Sequence, residues 1–255
     1  MIKHILTLMW NKKRQNVLLL LEIFFAFLIL FGVFSFAIIQ LRVYSEPLGF
    51  ESEHMLLAHL SLDEAVSADS VARLEMRQQL RRELEAYPEV IKTSFLSGIT
   101  PFSGSMWTTA NDDDGFFLRS AMYPTDEQYL EVAGLNVVEG RWYSEADLAG
   151  KYPPIVVTRK LVDDYFGDKP LVDSVISLNG ERKVVGIVDN FKYRDEFEPE
   201  IELSFILRTL DHEDLNSLQI RLQPGTPADF EETINETIAR ITKRRAFVIE
   251  NLEAS

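Results

Sequence analysis

The chain has 255 residues and no cysteine, and its 26 basic residues stand against 40 acidic ones, a formal net charge of −14. The lack of cysteine excludes disulfides, thiolate metal sites and thiol nucleophiles, and the acidic balance excludes a nucleic-acid binder. The length suffices for a packed core, as one large domain or two small ones.

Residues 1–16 carry Lys3, Lys12, Lys13 and Arg14 and no acid. Ile2, Ile5, Leu6 and Met9 fall at i, i+3, i+4 and i+7, the spacing of a short helix lying in a membrane interface; an apolar tail is the bland reading. From Val17 to Leu41 the chain is one long apolar segment with a single charge, Glu22. As a helix this segment reaches roughly 37 Å, more than a hydrocarbon core of about 30 Å, and predicts a transmembrane helix over 17–41. The basic flank places the N-terminus in the cytoplasm and residues 45–255 outside it. Ser35, Phe36 and Ala37 supply small residues for signal cleavage, but the apolar run exceeds the roughly 7 to 15 residues of a signal sequence. Beyond Arg42 there remain 21 basic residues against 39 acids, a net −18 for the outer part.

In the outer part, Met55 to Leu62 reads as a strand, Ser70 to Tyr87 as an amphipathic helix ended by Pro88, and Val90 to Ile99 as a second strand. Ser217 to Leu222, Pro227 to Lys243 and Ala246 to Glu250 repeat the strand, helix, strand order. Two such βαβ units can interleave into one split sheet with both helices on one face, leaving about 101–210 as an insertion. Within that insertion, strands are predicted over Phe116 to Tyr123 and Ile155 to Thr158, with helices over Asp126 to Ala133 and from Thr158 through Phe166. Asn179 and Gly180 separate two β-rich runs, Val175 to Leu178 and Arg182 to Val188, as a hairpin turn.

These pieces carry a resemblance. The basic flank and apolar helix are followed by Pro101-Phe102-Ser103-Gly104, by Tyr129 to Leu135, by Glu139-Gly140-Arg141-Trp142, by Leu161 to Phe166 with Gly167-Asp168, and by Val184 to Phe191. In this order and spacing the chain resembles the MacB/FtsX-type ABC transporter permeases, over their first membrane helix and periplasmic core domain.

The resemblance implies an α+β fold: one N-terminal transmembrane helix, then an extracytoplasmic domain with a porter-like part at about 55–100 and 211–251 and an inserted strand-rich subdomain at about 101–210. It implies a bacterial inner-membrane protein without enzyme activity or cofactor. Its partners would be a separate cytoplasmic ABC ATPase, a second permease copy and an extracytoplasmic protein, and its domain would pass ATPase-driven motion to export or release of a substrate. The chain departs from the pattern at Ser255, where further membrane helices are expected, so a fragment or truncated permease is the expectation. A single-pass extracytoplasmic scaffold or sensor is the alternative.

Glu22 lies about two turns inside the membrane helix, where an ionisable group costs about 2.5 to 3.5 kcal/mol unless paired. A contact with a neighbouring helix and a wet position beside Lys13 and Arg14 are both open. Phe102, Trp107, Phe116 and Phe117 are candidates for a partner-facing aromatic group, with core packing as the competing explanation. Asp112-Asp113-Asp114-Gly115 lacks the ligand alternation of a calcium loop and reads as a solvated turn. His4, His54, His59 and His212 form no zinc pattern, and no phosphate loop, dinucleotide fingerprint or Gly-x-Ser-x-Gly is present. No catalytic, cofactor or metal residue is predicted.

Overall fold

The computed structural model describes residues 13–98, 106–113, 116–190, 192, 201–244 and 249–251. The chain falls into two compact units, Met1–Glu46 and Pro47–Ser255. In the first, helix α1 runs over Lys13–Ser45. Within its Val17–Ser45 stretch an 18-residue window has a mean hydropathy of 2.9 and no buried residue, and this is the one helix among the described residues long and apolar enough to cross a membrane. Pro47 cannot continue it, and Arg42 in the last turn favours the negative end of the helix dipole. The apolar stripe at Ile2 to Met9 lies outside the described residues.

The second unit begins with β1 (Met55–His59), the short α2 (Glu64–Ala68), α3 (Ser70–Leu84) and β2 (Val90–Leu96), and ends with β10 (Ser217–Leu222), α6 (Phe230–Thr242) and β11 (Ile249–Asn251). Asp69 starts α3 by accepting the N–H groups of Val71 and Ala72. Lys243, in the left-handed conformation, ends α6. The strands lie in the order β11-β1-β10-β2 with every neighbouring pair antiparallel. Thus β10 separates the parallel β1 and β2, the interleaving expected of two βαβ units. Met76, Leu80 and Leu84 of α3 and Ile234 and Ile238 of α6 share one core with Leu56, Ala58, Leu218 and Ile220, so both helices cover the same face.

Between β2 and β10 come β3 (Trp107–Asp113), β4 (Phe116–Thr125), α4 (Tyr129–Ala133), β5 (Val137–Gly140), β6 (Pro154–Thr158), α5 (Arg159–Tyr165), β7 (Val175–Ser177), β8 (Glu181–Val188) and β9 (Leu203–Leu207). They extend the same sheet in the order β2-β4-β9-β6-β8-β5, with β3 on β4 and β7 on β8. The joint is narrow, because Leu96↔Thr125 is the single register pair between β2 and β4. The sheet then curls until Asn111 of β3 donates from Nδ2 to the carbonyl oxygen of Ser177 in β7 at 3.2 Å, around a core that includes Leu118, Ile155, Leu161 and Ile206.

Beneath the joint, a second core mixes Leu57 and Leu96 with Tyr123, Tyr129, Ala133 and Phe205. Helix α4, carried by the inserted stretch, therefore packs on the sheet face opposite α3 and α6. Asn179 and Gly180 make the predicted turn, with φ of 52° and 89°. Asp112 and Asp113, read as part of a turn, instead belong to β3, while residues 114 and 115 lie outside the described residues.

Candidate functional site

Glu22 sits on α1, exposed like its neighbours. Of the four aromatics, Phe102 lies outside the described residues and Phe116 is described by its backbone alone. Trp107 pairs with Met122 and packs against the core inside the curled sheet. Phe117 pairs with Asp112 near the other end of the β3–β4 hairpin and is 54% exposed. Five strand positions, roughly 17 Å, separate the two, and an odd offset turns them to opposite faces. Trp107 and Phe117 thus form no common patch. The hairpin end at Phe116 lies nine positions, about 30 Å along the strand, from Thr125 at the joint.

The joint itself holds a buried carboxylate. Asp126, directly after β4, accepts hydrogen bonds from Ser94 Oγ (2.7 Å), Phe95 N–H (2.8 Å) and Gln128 N–H (3.0 Å), and from the guanidinium of Arg81 on α3. Burial pushes its carboxyl up, against the pull of Arg81 and the three other donors. Beside it the Thr125 hydroxyl meets the buried Tyr143 hydroxyl, and Arg208 N–H donates to the Thr125 carbonyl at 2.8 Å. Further along α3, Arg77 is fully buried and donates to the carbonyls of Leu210 (2.5 Å) and His212 (2.7 Å); Arg73 donates to that of Asp211 (2.7 Å). Burial, with Arg73 nearby, lowers Arg77 to about 10, so it stays charged at neutral pH. Arg73 and Arg77, one turn apart on the same helix face, thereby fix the segment leading from β9 to β10, and Arg81, a turn further on, holds Asp126.

The Glu139-Gly140-Arg141-Trp142 stretch is a backbone crossing. Gly140, with φ of 72°, pairs with Gly186, and a Cβ on Gly186 would overlap the carbonyl of Arg141. The Arg141 guanidinium then takes the Asp147 carboxylate in two bonds of 2.8 and 2.5 Å, which with the Ser144 N–H brings that carboxyl down to about 2. Trp142 turns inward against Tyr143 and Phe205, with ring centroids 4.3 and 5.4 Å away. Among the described residues no group of three or more His, Asp or Glu side chains could hold a metal. His59 Nδ1 meets Ser217 Oγ at 2.8 Å, and His212 Nδ1 accepts from Asp214 N–H.

A family model described as the MacB-like periplasmic core domain matches residues 29–237. The chain belongs to this family. The fold is similar to the crystal structure of the periplasmic region of MacB from Actinobacillus actinomycetemcomitans, with a TM-score of 0.55 at 11% identity over 84% of this chain and 95% of that one. It is also similar to the extracellular domain of the noncanonic ABC-type transporter YknZ from Gram-positive bacteria, with a TM-score of 0.50 at 14% identity over 77% of this chain and 99% of that one. In sequence, the macrolide export ATP-binding/permease protein MacB of Neisseria gonorrhoeae is 28% identical over 102 residues, 39% of this chain and 15% of that protein. The proteins of that name from Neisseria meningitidis match to the same extent. The chain therefore spans a small part of the curated relatives it matches.

Within this MacB-like domain, Asp126, the arginines of α3 and the segment 47–54 are absent from the sequence-based expectations. Asp126 reads as an ordinary helix start, since Asp before a short helix is common, and its burial follows from a strand pairing that no local pattern shows. The arginine spacing of four was legible, but arginine on a helix usually marks the wet face.

Proposed function

We propose that this chain is the membrane-anchored outer part of an ABC transporter permease subunit, and that its outer domain passes ATPase-driven motion to export or release of a substrate. A match to the MacB-like periplasmic core domain that begins within an apolar helix with a basic N-terminal flank is the observation that carries this reading. The N-terminus lies in the cytoplasm, the domain lies beyond the bacterial inner membrane, and the work is done with a separate ABC ATPase and a second permease copy. Glu22 meets a neighbouring membrane helix of that assembly, where pairing removes the cost of a carboxylate in lipid. Phe117, exposed on the β3–β4 hairpin, serves an extracytoplasmic protein partner; Trp107 supports the hairpin from the core side.

The chain has no phosphate-binding loop, so the ATP chemistry belongs to its partner. The test is phosphate release from ATP by the purified chain, by the ATPase, and by the complete permease assembled with the ATPase in lipid nanodiscs. Turnover that changes on assembly, with none from the chain alone, is expected. Phosphate release by the chain alone, or an ATPase indifferent to the permease, overturns the reading.

A further inference from the structure

The segment that leaves the membrane helix does not hang as a loose linker; it is fastened to the outer domain at successive points. The Leu48 carbonyl accepts the N–H of Lys192 at 2.8 Å, and the Lys192 side chain is itself buried. The Phe50 ring belongs to the core shared by both parts of the domain, a cluster that includes Leu57, Tyr129 and Trp142. The Glu51 N–H donates to the carbonyl of Ala133, the last residue of α4, at 2.8 Å. The Glu51 carboxylate takes the guanidinium of Arg221 on β10, whose other nitrogen donates to the Glu131 carbonyl of α4 at 3.0 Å. Finally the His54 carbonyl accepts the Leu222 N–H at 2.9 Å as β1 begins.

The fit is close. Gly134, with φ of 63°, lies under Glu51, and a Cβ there would come within 2.9 Å of the Glu51 side chain. Arg221 sits where the register of β10 against β2 shifts, so the sheet is locally bent at the point of attachment. The segment thus grips three elements: α4, which belongs to the inserted stretch; β10, which belongs to the porter-like sheet; and Lys192, which follows β8. The contacts of this segment touch both parts of the domain.

We propose that residues 48–51 are a coupling strap, in which the Phe50 ring and the Glu51–Arg221 pair are positioning groups that deliver motion of the membrane helix to α4 and β10. A slack linker would absorb a movement of a few ångströms; a strap bonded at both edges of the joint carries it on. The proposal rests on the transporter reading above.

A single environment-sensitive fluorophore on Val71→Cys, an exposed position of α3 in a 255-residue sequence without cysteine, reads whether ATP alters the outer domain once other thiols of the complete permease and its ATPase are blocked. Hydrogen exchange at the Glu51 and Lys192 amides reads whether the strap is attached. Clefts of about 660 and 530 Å³ flank the segment, so solvent reaches it and amide protection reports its hydrogen bonds. The double variant Phe50→Ala with Glu51→Gln should lose both protection and the ATP signal. Phe50→Leu with Glu51 retained should keep the signal.

A Gly-Gly-Ser spacer inserted between Glu46 and Pro47 keeps every contact of the strap and should still abolish the signal, which separates coupling from folding. A detached strap, or a tolerated spacer, with the ATP signal intact overturns the proposal and leaves the transporter reading standing. An unmodified complex with protected amides and no ATP signal overturns the transporter reading, and the strap's role with it.

Discussion

Arg81 and Asp126 join elements that are 45 positions apart in the chain, and their ion pair closes over the one register pair that links the porter-like sheet to the inserted strands. The Asp126 side chain is 3% exposed and that of Arg81 15%. Phe95, whose N–H Asp126 accepts, also lies under the guanidinium with its ring centroid 5.5 Å away.

Removing one partner of such a pair leaves the other charge buried with its hydrogen bonds unmade. Asp126→Ala should therefore destabilise the MacB-like domain by about 3 to 5 kcal/mol. Asp126→Asn keeps the shape and part of the hydrogen bonding and should cost less. Urea unfolding followed by tryptophan fluorescence measures both, and equal, small costs would mean that the joint is held by the shared apolar core alone.

The crossing of Gly186 and Arg141 gives a steric prediction. A methyl group at Gly186 meets a backbone carbonyl that cannot step aside, so Gly186→Ala should cost about 3 kcal/mol. At Gly167 the space is open and the penalty is the left-handed backbone alone, about 1 kcal/mol for Gly167→Ala. Thermal melts of the two variants should rank in that order; the reverse ranking would contradict the packing described at Gly186.

The Arg141–Asp147 pair predicts an acid-sensitive increment of stability. The Asp147 carboxyl titrates near 2 in the folded protein and near 3.9 when unfolded, so as pH falls the unfolded chain takes up the proton first. The increment is whole above about pH 4 and drains away as pH falls towards 2. Arg141 is 58% exposed, which limits the increment to about 1 kcal/mol. The difference in stability between the parent and Asp147→Asn should shrink over that window; a difference independent of pH would assign the effect to packing.

The second unit carries its own cores and the sheet that joins them, so residues 47–255 should fold without the N-terminal apolar helix. A single cooperative transition, unmoved by chelator, is expected in calorimetry. A melt that shifts strongly with chelator would reveal a metal site.

The two outer βαβ units were legible because each lies in continuous sequence, with apolar periodicity in Ser70 to Leu84 and Phe230 to Thr242 and turn residues around them. The hairpin at Asn179-Gly180 was legible because the turn type demands those residues. Strands β3, β5 and β9 were not predicted. Trp107 to Asp113 is largely polar, Val137 to Gly140 is only four residues, and Leu203 to Leu207 is a short apolar run whose strand character comes from its place between β4 and β6. The joint and the strap were illegible for a related reason. Asp126, Glu51 and Arg221 take their roles from partners remote in sequence, and no spacing rule brings 51 to 221 or 81 to 126.

The orientation of the chain tests the account most directly. Val71→Cys and Thr7→Cys, made one at a time in a chain that has no other thiol, can be exposed in cells with an intact inner membrane to a maleimide that cannot cross it. Labelling at position 71 in intact cells, and at position 7 only after the membrane is permeabilised, is the predicted result. Labelling at position 7 with protection at position 71 would put the outer domain in the cytoplasm and contradict the account.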